Sequence, residues 1–413
     1  MKEADNTTTR KPHTSNSSTN IILHVLRSLL LLPQWHLQRW HKRDAHLWTF
    51  DAWSGTRYSD NPRALYEYVL AHEPTIHPVW MTNDQAIYER LKAENKPVAM
   101  RNSSEGKRIQ KDAGFFFCTH GRLNGQSEGE LQYMNGIRYI NLWHGVPLKL
   151  IGNDETNFKS KTSAWKRIKT NIRRILVPWE FISDTILCGE TFFEPIFKSA
   201  FGGVYMHILS YNEPRLDKML HPNTERLVQS LNEIYNNPIK VVYMPTFRDT
   251  EMGHFNPFAQ ADFDQQRLEK VLEERNMVFL YKGHFLGGDA SSNGIHTRIQ
   301  TINDSDYDDL YTFIKDVDIL ITDYSSIYFD FLCLRKPMIL FPFDYERYIK
   351  CSRGFYFDYS LLEAKKVYSW QELETCLLQG TYHVPSEKEV QLFRPTPIGH
   401  NCETLVNYLL PTR

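Results

Sequence analysis

The chain has no run of about 18 apolar residues, so no full membrane-spanning helix is expected. Its nearest approach, Ile21 to Leu32, is interrupted by His24, Arg27 and Ser28 and is stopped by Pro33. The Gln34-Trp35-His36 that follows is not the small-residue site at which a signal peptide is cleaved. The six cysteines include no CxxC pair. That spacing excludes a zinc pattern and a disulfide framework and leaves reduced, cytoplasmic thiols. A net charge of -1 argues against a nucleic-acid partner, which calls for a basic excess. No acidic cluster suggests a metal site. The one acidic run, Asp304, Asp306, Asp308 and Asp309, is expected to be a solvated helix start. There is no internal repeat. Residues 1 to 20, rich in Ser, Thr and Asn, are expected to be disordered.

What the chain does have is length for two domains and repeated alternation of strand and helix patterns. In the first half, strands are expected at Leu47 to Phe50, Pro78 to Met81, Gly114 to Thr119 and Ile137 to Leu142. Asp60 can cap a helix that Asn61-Pro62 opens and Ala64 to Ala71 continues. In the second half, strands at Ile239 to Met244, Met277 to Tyr281, Val317 to Thr322 and Pro337 to Phe341 alternate with helices at Gln265 to Glu274, Asp306 to Ile314 and Ser325 to Leu334. Met219 to Asn237 is expected to hold the crossing between halves. Strands alternating with helices indicate parallel βαβ units. The expected fold is therefore α/β, two doubly wound domains facing each other across a cleft, with the informative residues just after strands. The many aromatics (22 Tyr, 24 Phe, 9 Trp) suit core filling and also a ligand cleft.

Four clusters occupy such post-strand positions. Trp143-His144-Gly145-Val146-Pro147 offers an imidazole, the side chain suited to general-base work near neutral pH. In Pro245-Thr246-Phe247-Arg248-Asp249, Arg248 can hold phosphate oxygens bidentately or pair with a carboxylate. Lys282-Gly283-His284 makes an anion-contact turn. Asp323-Tyr324-Ser325-Ser326 joins a strand to a helix, where free N–H groups, the helix dipole and two hydroxyls favour an anion, or where Ser simply caps. Together they suit a pyrophosphate donor handled without a metal ion.

Two segments suggest a membrane surface. The stretch after Pro33 would place Trp35 and Trp40 at the interface, with Arg39, Lys42 and Arg43 facing head groups. Lys166, Arg167, Lys169, Arg173 and Arg174 form a basic strip, with Trp165, Ile168, Ile172, Ile175, Leu176 and Trp179 at helical spacing. It suits an anionic membrane, or an anionic polymer acceptor.

NLWHGVPLKLIG (Asn141 to Gly152), YMPTFRD (Tyr243 to Asp249), YKGHF (Tyr281 to Phe285), ITDYSSIYFDF (Ile321 to Phe331), RKPMILFPFDYERY (Arg335 to Tyr348) and RGFYFDY (Arg353 to Tyr359) resemble the CDP-glycerol glycerophosphotransferase family of teichoic-acid primases and polymerases and related capsule enzymes. FDAWSGTRYSDNPRALYEY (Phe50 to Tyr68) and EPRLD (Glu213 to Asp217) resemble further stretches of it, so the likeness spans roughly residues 45 to 360. It implies a GT-B-like arrangement of two Rossmann-type domains and metal-independent chemistry with no cofactor. The division would be a tail and amphipathic segment over 1–44, an acceptor and membrane-associating domain over 45–222, and a CDP-donor domain over 223–413. His144 would be the base, with His284 the competing catalytic histidine. Arg248, Lys282, His284, Ser325 and Ser326 would contact donor phosphates, and Asp323 would hold their turn. The implied partners are a CDP-alditol donor, a lipid-linked or polymer acceptor and the cytoplasmic face of an anionic membrane. The reaction implied is transfer of glycerol phosphate with release of CMP; the alternatives are ribitol phosphate from CDP-ribitol, or glycosyl transfer on the same fold.

Overall fold

The computed structural model describes residues 29–120, 133–159, 172, 175–176, 184–202, 207–246, 248, 256–283, 297–351 and 354–410. Two all-parallel sheets organise them. The first is built from β1 (Asp44–Phe50), β2 (His77–Thr82), β3 (Val98–Met100), β4 (Ala113–Cys118), β5 (Arg138–Asn141), β6 (Thr185–Leu187) and β7 (His207–Leu209), in the order β3-β2-β1-β4-β5-β6-β7. The second comprises β8 (Ile239–Tyr243), β9 (Met277–Tyr281), β10 (Ile299–Thr301), β11 (Ile319–Thr322), β12 (Met338–Leu340) and β13 (Lys365–Lys366), in the order β10-β9-β8-β11-β12-β13. In both, the strand order reverses beside the first strand of the sheet. A doubly wound sheet opens its ligand crevice at that point.

All the expected strands exist, with ends shifted by a few residues at most. The missed strands, among them β3, β6, β10 and β13, are two or three residues long and carry too little pattern to be seen. Central strands are apolar on both faces because helices cover both: every residue of β4, β9 and β11 is buried. The helix Gln265–Glu274 starts where Asp264 accepts hydrogen bonds from the Gln266 and Arg267 amides. For the helix Asp60–His72 the cap differs from expectation. Ser59 holds the cap position, and Asp60 is the first helical residue, with φ +68° and its carboxylate turned to other work.

The domains are not sealed from each other. One apolar cluster joins Val146, Leu148 and Ile186 of the first sheet's side to Val242, Leu320 and Phe329 of the second. The Leu148–Leu150 stretch also pairs with Gly354–Tyr356, through Leu150 N–H to the Gly354 carbonyl (2.8 Å) and Tyr356 N–H to the Leu148 carbonyl (2.9 Å). Strands on either side of residue 222 fall into separate sheets, but the last helix, Asn401–Leu409, returns to the first core, where Cys402, Leu405, Val406 and Leu409 are buried with Leu65, Val69 and Leu187.

The acidic run is exposed at Asp304, Asp306 and Asp308 and does start a helix, but it also reaches across to the first domain. Asp308 pairs with Arg63 and Arg90 of the first domain, Asp304 takes Arg57 Nη1 at 2.7 Å, and Asp309 caps the helix Leu310–Ile314. It is an electrostatic clasp between domains. Among the described residues, no helix is long and apolar enough to cross a membrane.

Candidate active site

The loop after β5 is shaped by strain and by side-chain clamps. Trp143 has φ +57°, a region that stores energy unless neighbours hold it, and Gly145 takes φ +141°, which glycine adopts without that cost. Asn61 supplies much of that hold: its Nδ2 donates to the carbonyls of Leu142 (3.1 Å) and Trp143 (3.0 Å). Asn141 Oδ1 accepts from Trp143 N–H at 2.9 Å. His144 is thereby presented at the end of the strand, with Nδ1 3.0 Å from the Thr119 carbonyl oxygen. A carbonyl only accepts, so Nδ1 carries the proton and Nε2 is the basic atom of the neutral ring.

A second histidine, not anticipated from the sequence, lies against it. His120 follows β4 as His144 follows β5, and the two rings stack at 4.3 Å between centroids, 14° apart in plane. His120 Nδ1 shares a 2.7 Å hydrogen bond with the Thr119 hydroxyl, which accepts from Trp53 N–H at 2.9 Å. Burial, and then the neighbouring His144, push the His120 imidazole down to about 3. It is therefore an uncharged wall beside the basic nitrogen of His144. Its signal was available, since a strand running into His-Gly is the pattern that singles out His144.

Across the cleft, the His144 loop meets the turn that carries the serines. A β-carbon added to Gly145 would lie 2.6 Å from Ser326 Oγ and 3.3 Å from Arg215 Nη2, so only glycine permits this approach. The structure thus brings together the base candidate and the Ser325-Ser326 turn from opposite domains. Ser326 stands at the start of the short helix Ile327–Leu332, makes no side-chain capping bond, and is partly exposed, as is Ser325. Asp323 builds the turn from beneath. Its Oδ1 accepts from the amides of Thr246 (2.7 Å) and Tyr324 (2.5 Å), and its carbonyl accepts from the Tyr359 hydroxyl (2.9 Å).

The arginine expected on phosphate is placed differently. Arg248 is buried, its Nη2 on Asp323 Oδ2 (2.7 Å) and Asp344 Oδ1 (3.0 Å), its Nε on Asp344 Oδ2 (2.8 Å) and its Nη1 on the Thr246 carbonyl (2.7 Å). Tyr324 and Tyr348 flank the guanidinium. The fork is thereby tied to the 323–326 turn through Asp323 and to Asp344. Lys282 likewise meets Asp304 at 2.6 Å, and that carboxylate also holds Arg57. His284 lies outside the described residues, as do Lys166, Arg167, Lys169, Arg173 and Arg174.

Behind Gly145 runs a buried chain of alternating charge that no local pattern announces. Asp60 Oδ1 meets Arg215 Nη1 (2.7 Å), Arg215 Nη2 meets Asp330 Oδ2 (2.9 Å), Asp330 Oδ1 meets Arg394 Nη2 (2.7 Å), and Arg394 Nη1 meets Glu213 Oε2 (2.6 Å). It links the first domain, the EPRLD stretch and the serine-bearing helix, and fixes the cleft geometry.

The amino-terminal segment also departs from expectation. Trp35 is buried with Phe116, Met134 and Tyr139, so it is no interfacial residue. Arg43 donates to the carbonyls of Gln110, Lys111, Ala113, Tyr133 and Asn135 and faces no head group. Trp40 is 86% exposed, with Leu30 and Leu37 also exposed. Leu176 packs on the same cluster as Trp35, while Ile172 and Ile175 are exposed.

The model of a family described as CDP-Glycerol:Poly(glycerophosphate) glycerophosphotransferase matches residues 34–396. The chain is 29% identical over 321 residues to a teichoic acid glycerol-phosphate transferase of Staphylococcus aureus, covering 75% of this chain and 77% of that protein. It is 27% identical over 315 residues to a teichoic acid poly(glycerol phosphate) polymerase of Staphylococcus epidermidis, covering 75% of this chain but 42% of the relative. A solved structure of a variant of the wall teichoic acid polymerase TagF superposes with a TM-score of 0.70 at 22% identity, covering 96% of this chain and 98% of that one. The GT-B-like fold is shared with it.

Proposed function

The chain belongs to the CDP-glycerol:poly(glycerophosphate) glycerophosphotransferase family, and we propose that it moves glycerol phosphate from CDP-glycerol to the hydroxyl of a membrane-linked acceptor or growing teichoic-acid-type polymer, releasing CMP. The observation that supports the site assignment is the approach of Gly145, the neighbour of His144, to Ser326. The acceptor hydroxyl attacks the β-phosphorus of the donor, and its proton passes to Nε2 of His144. The bond from that phosphorus to the bridging oxygen breaks, and CMP leaves with the electron pair. Charge developing on phosphate oxygens meets the amides that open the helix Ile327–Leu332 and the hydroxyls of Ser325 and Ser326. Arg248 and Asp323 act through that turn, by holding its shape. His284 is assigned to the donor phosphates, and Lys282, tethered by Asp304, to the rim of the same site. The first domain receives the acceptor and the second the donor.

The exposed apolar residues Leu30, Leu37, Trp40, Ile172 and Ile175, and the basic sequence over 166–174, are assigned to an anionic membrane on its cytoplasmic side. The deciding experiment supplies CDP-glycerol and CDP-ribitol separately with a lipid-linked acceptor and measures CMP. CMP release from CDP-glycerol supports the reading. Release from CDP-ribitol alone replaces the alditol, and release of a nucleoside diphosphate from a sugar nucleotide instead replaces the reaction.

A further inference from the structure

Three side chains able to ligate a metal meet in the second domain, on elements that carry none of the residues assigned to the reaction. Glu363 precedes β13, His383 bridges to Met338 of β12, and Glu389 lies on the helix Glu387–Phe393. One donor atom from each lies within 4.8 Å of the others. His383 Nε2 is 3.6 Å from Glu389 Oε2 and 3.8 Å from Glu363 Oε2.

The buried member of the trio is half satisfied. Glu389 is 1% exposed, and its Oε1 accepts from the Tyr328 hydroxyl and from Glu363 N–H (2.9 Å). Among the described residues its Oε2 has no hydrogen-bond donor, and His383 Nε2, also buried, has no hydrogen-bond partner. Buried polar atoms are nearly always paired, because an unpaired one loses its hydration without return. Lys366, the nearby ammonium, donates to the Leu362 carbonyl.

The separations discriminate between two ways of satisfying these atoms. A hydrogen bond would draw the imidazole nitrogen to within about 2.7–3.2 Å of an oxygen. A tetrahedral ion with bonds of about 2.0–2.1 Å holds its ligand atoms roughly 3.3–3.4 Å apart. Distances of 3.6 and 3.8 Å are closer to the second. One imidazole nitrogen and two carboxylates suit Zn²⁺ or a similar first-row ion, whereas Mg²⁺ and Ca²⁺ favour oxygen alone. The Tyr328 hydroxyl and the Glu363 amide supply the outer contacts that orient such a ligand.

We infer that Glu363, His383 and Glu389 bind one divalent first-row cation, with Zn²⁺ the best match, and that this ion is a structural staple. Through Glu389 and Tyr328 it ties the helix leading to Arg394 to the helix that begins at Ser326. It takes no part in the transfer chemistry, so the inference is independent of the proposed function.

The test uses the full chain, stripped with chelator and titrated with Zn²⁺ by calorimetry, beside His383→Gln and Glu363→Gln. Both positions are partly exposed, with side chains 26% and 34% accessible, so both variants keep the core. The expected result is one Zn²⁺ per wild-type chain, a higher melting temperature with Zn²⁺, and binding weakened in each variant by more than the roughly 10- to 100-fold that an outer contact is worth. Co²⁺ in place of Zn²⁺ should give visible ligand-field absorption that His383→Gln abolishes. No Zn²⁺ binding by the wild type, or binding that both variants retain, overturns the site and leaves an imidazole beside two carboxylates.

Discussion

Replacing Arg248 by alanine separates a scaffold from a phosphate clamp. The substitution leaves Asp323, fully buried, and Asp344, 13% exposed, facing each other without their shared cation. Removing one partner of a buried pair costs about 3–5 kcal/mol, because the remaining charge is stranded. Asp344 can recruit water and Asp323 cannot, so the lower end, about 3 kcal/mol, is expected. At roughly 2–4 °C per kcal/mol for a domain of this size, the transition of the second domain should fall by about 6–12 °C. Calorimetric melting without donor reads this directly. Lysine should recover part of it, since one ammonium cannot reproduce the bonds to Asp344, Asp323 and the Thr246 carbonyl. Turnover should fall in proportion to the disturbed 323–326 turn. If Arg248→Ala melts as the wild type does but needs far more CDP-glycerol for half-maximal rate, the guanidinium contacts phosphate and the scaffold argument fails.

His144→Ala should lose about 10²- to 10⁴-fold in turnover, the usual span for a general base, while CDP-glycerol binding stays near normal; binding lost along with turnover would move His144 to the donor site. His120→Phe should blunt acid sensitivity. The imidazole is pushed down to about 3 in the folded protein against an ordinary 6.5, so the unfolded chain binds the extra proton between those values and stability falls as pH drops from about 6.5 toward 3. Removing it should take up to about 1.4 kcal/mol per pH unit out of that slope, and a variant with the wild-type acid limb would refute the placement. Leu30→Glu with Trp40→Glu should reduce flotation with anionic vesicles, as should Lys166, Arg167 and Arg174 to Glu; unchanged flotation of both would remove the membrane assignment from these residues.

What the sequence discloses here is position along a strand, and what it conceals is the partner of a charge. Met277–Tyr281 is legible to the residue because a central parallel strand is an unbroken apolar run with a turn at its end. Lys365–Lys366 is not legible, since an edge strand of two lysines pairs by backbone alone. His144 stands out in the sequence because strand ends in this fold point to the cleft, and His120 sits under the same rule one strand away. Arg248 obeys the rule too, yet Asp323 and Asp344 converge on it from 75 and 96 residues further along. Asp308 reads as solvated in its own neighbourhood, and only the topology carries it to Arg63, 245 residues away. The consequence is chemical as well as structural. Arg248 and Lys282 are cations that local pattern offers to a pyrophosphate, and each is engaged by a carboxylate, as are Arg215 and Arg394, which no local pattern announces. On the proposed function, and among the described residues, charge stabilisation during transfer is assigned mainly to fixed dipoles at the Ser325-Ser326 turn. These need no reorientation as the phosphorus–oxygen bond breaks, because the buried ions have already fixed the turn against the His144 loop.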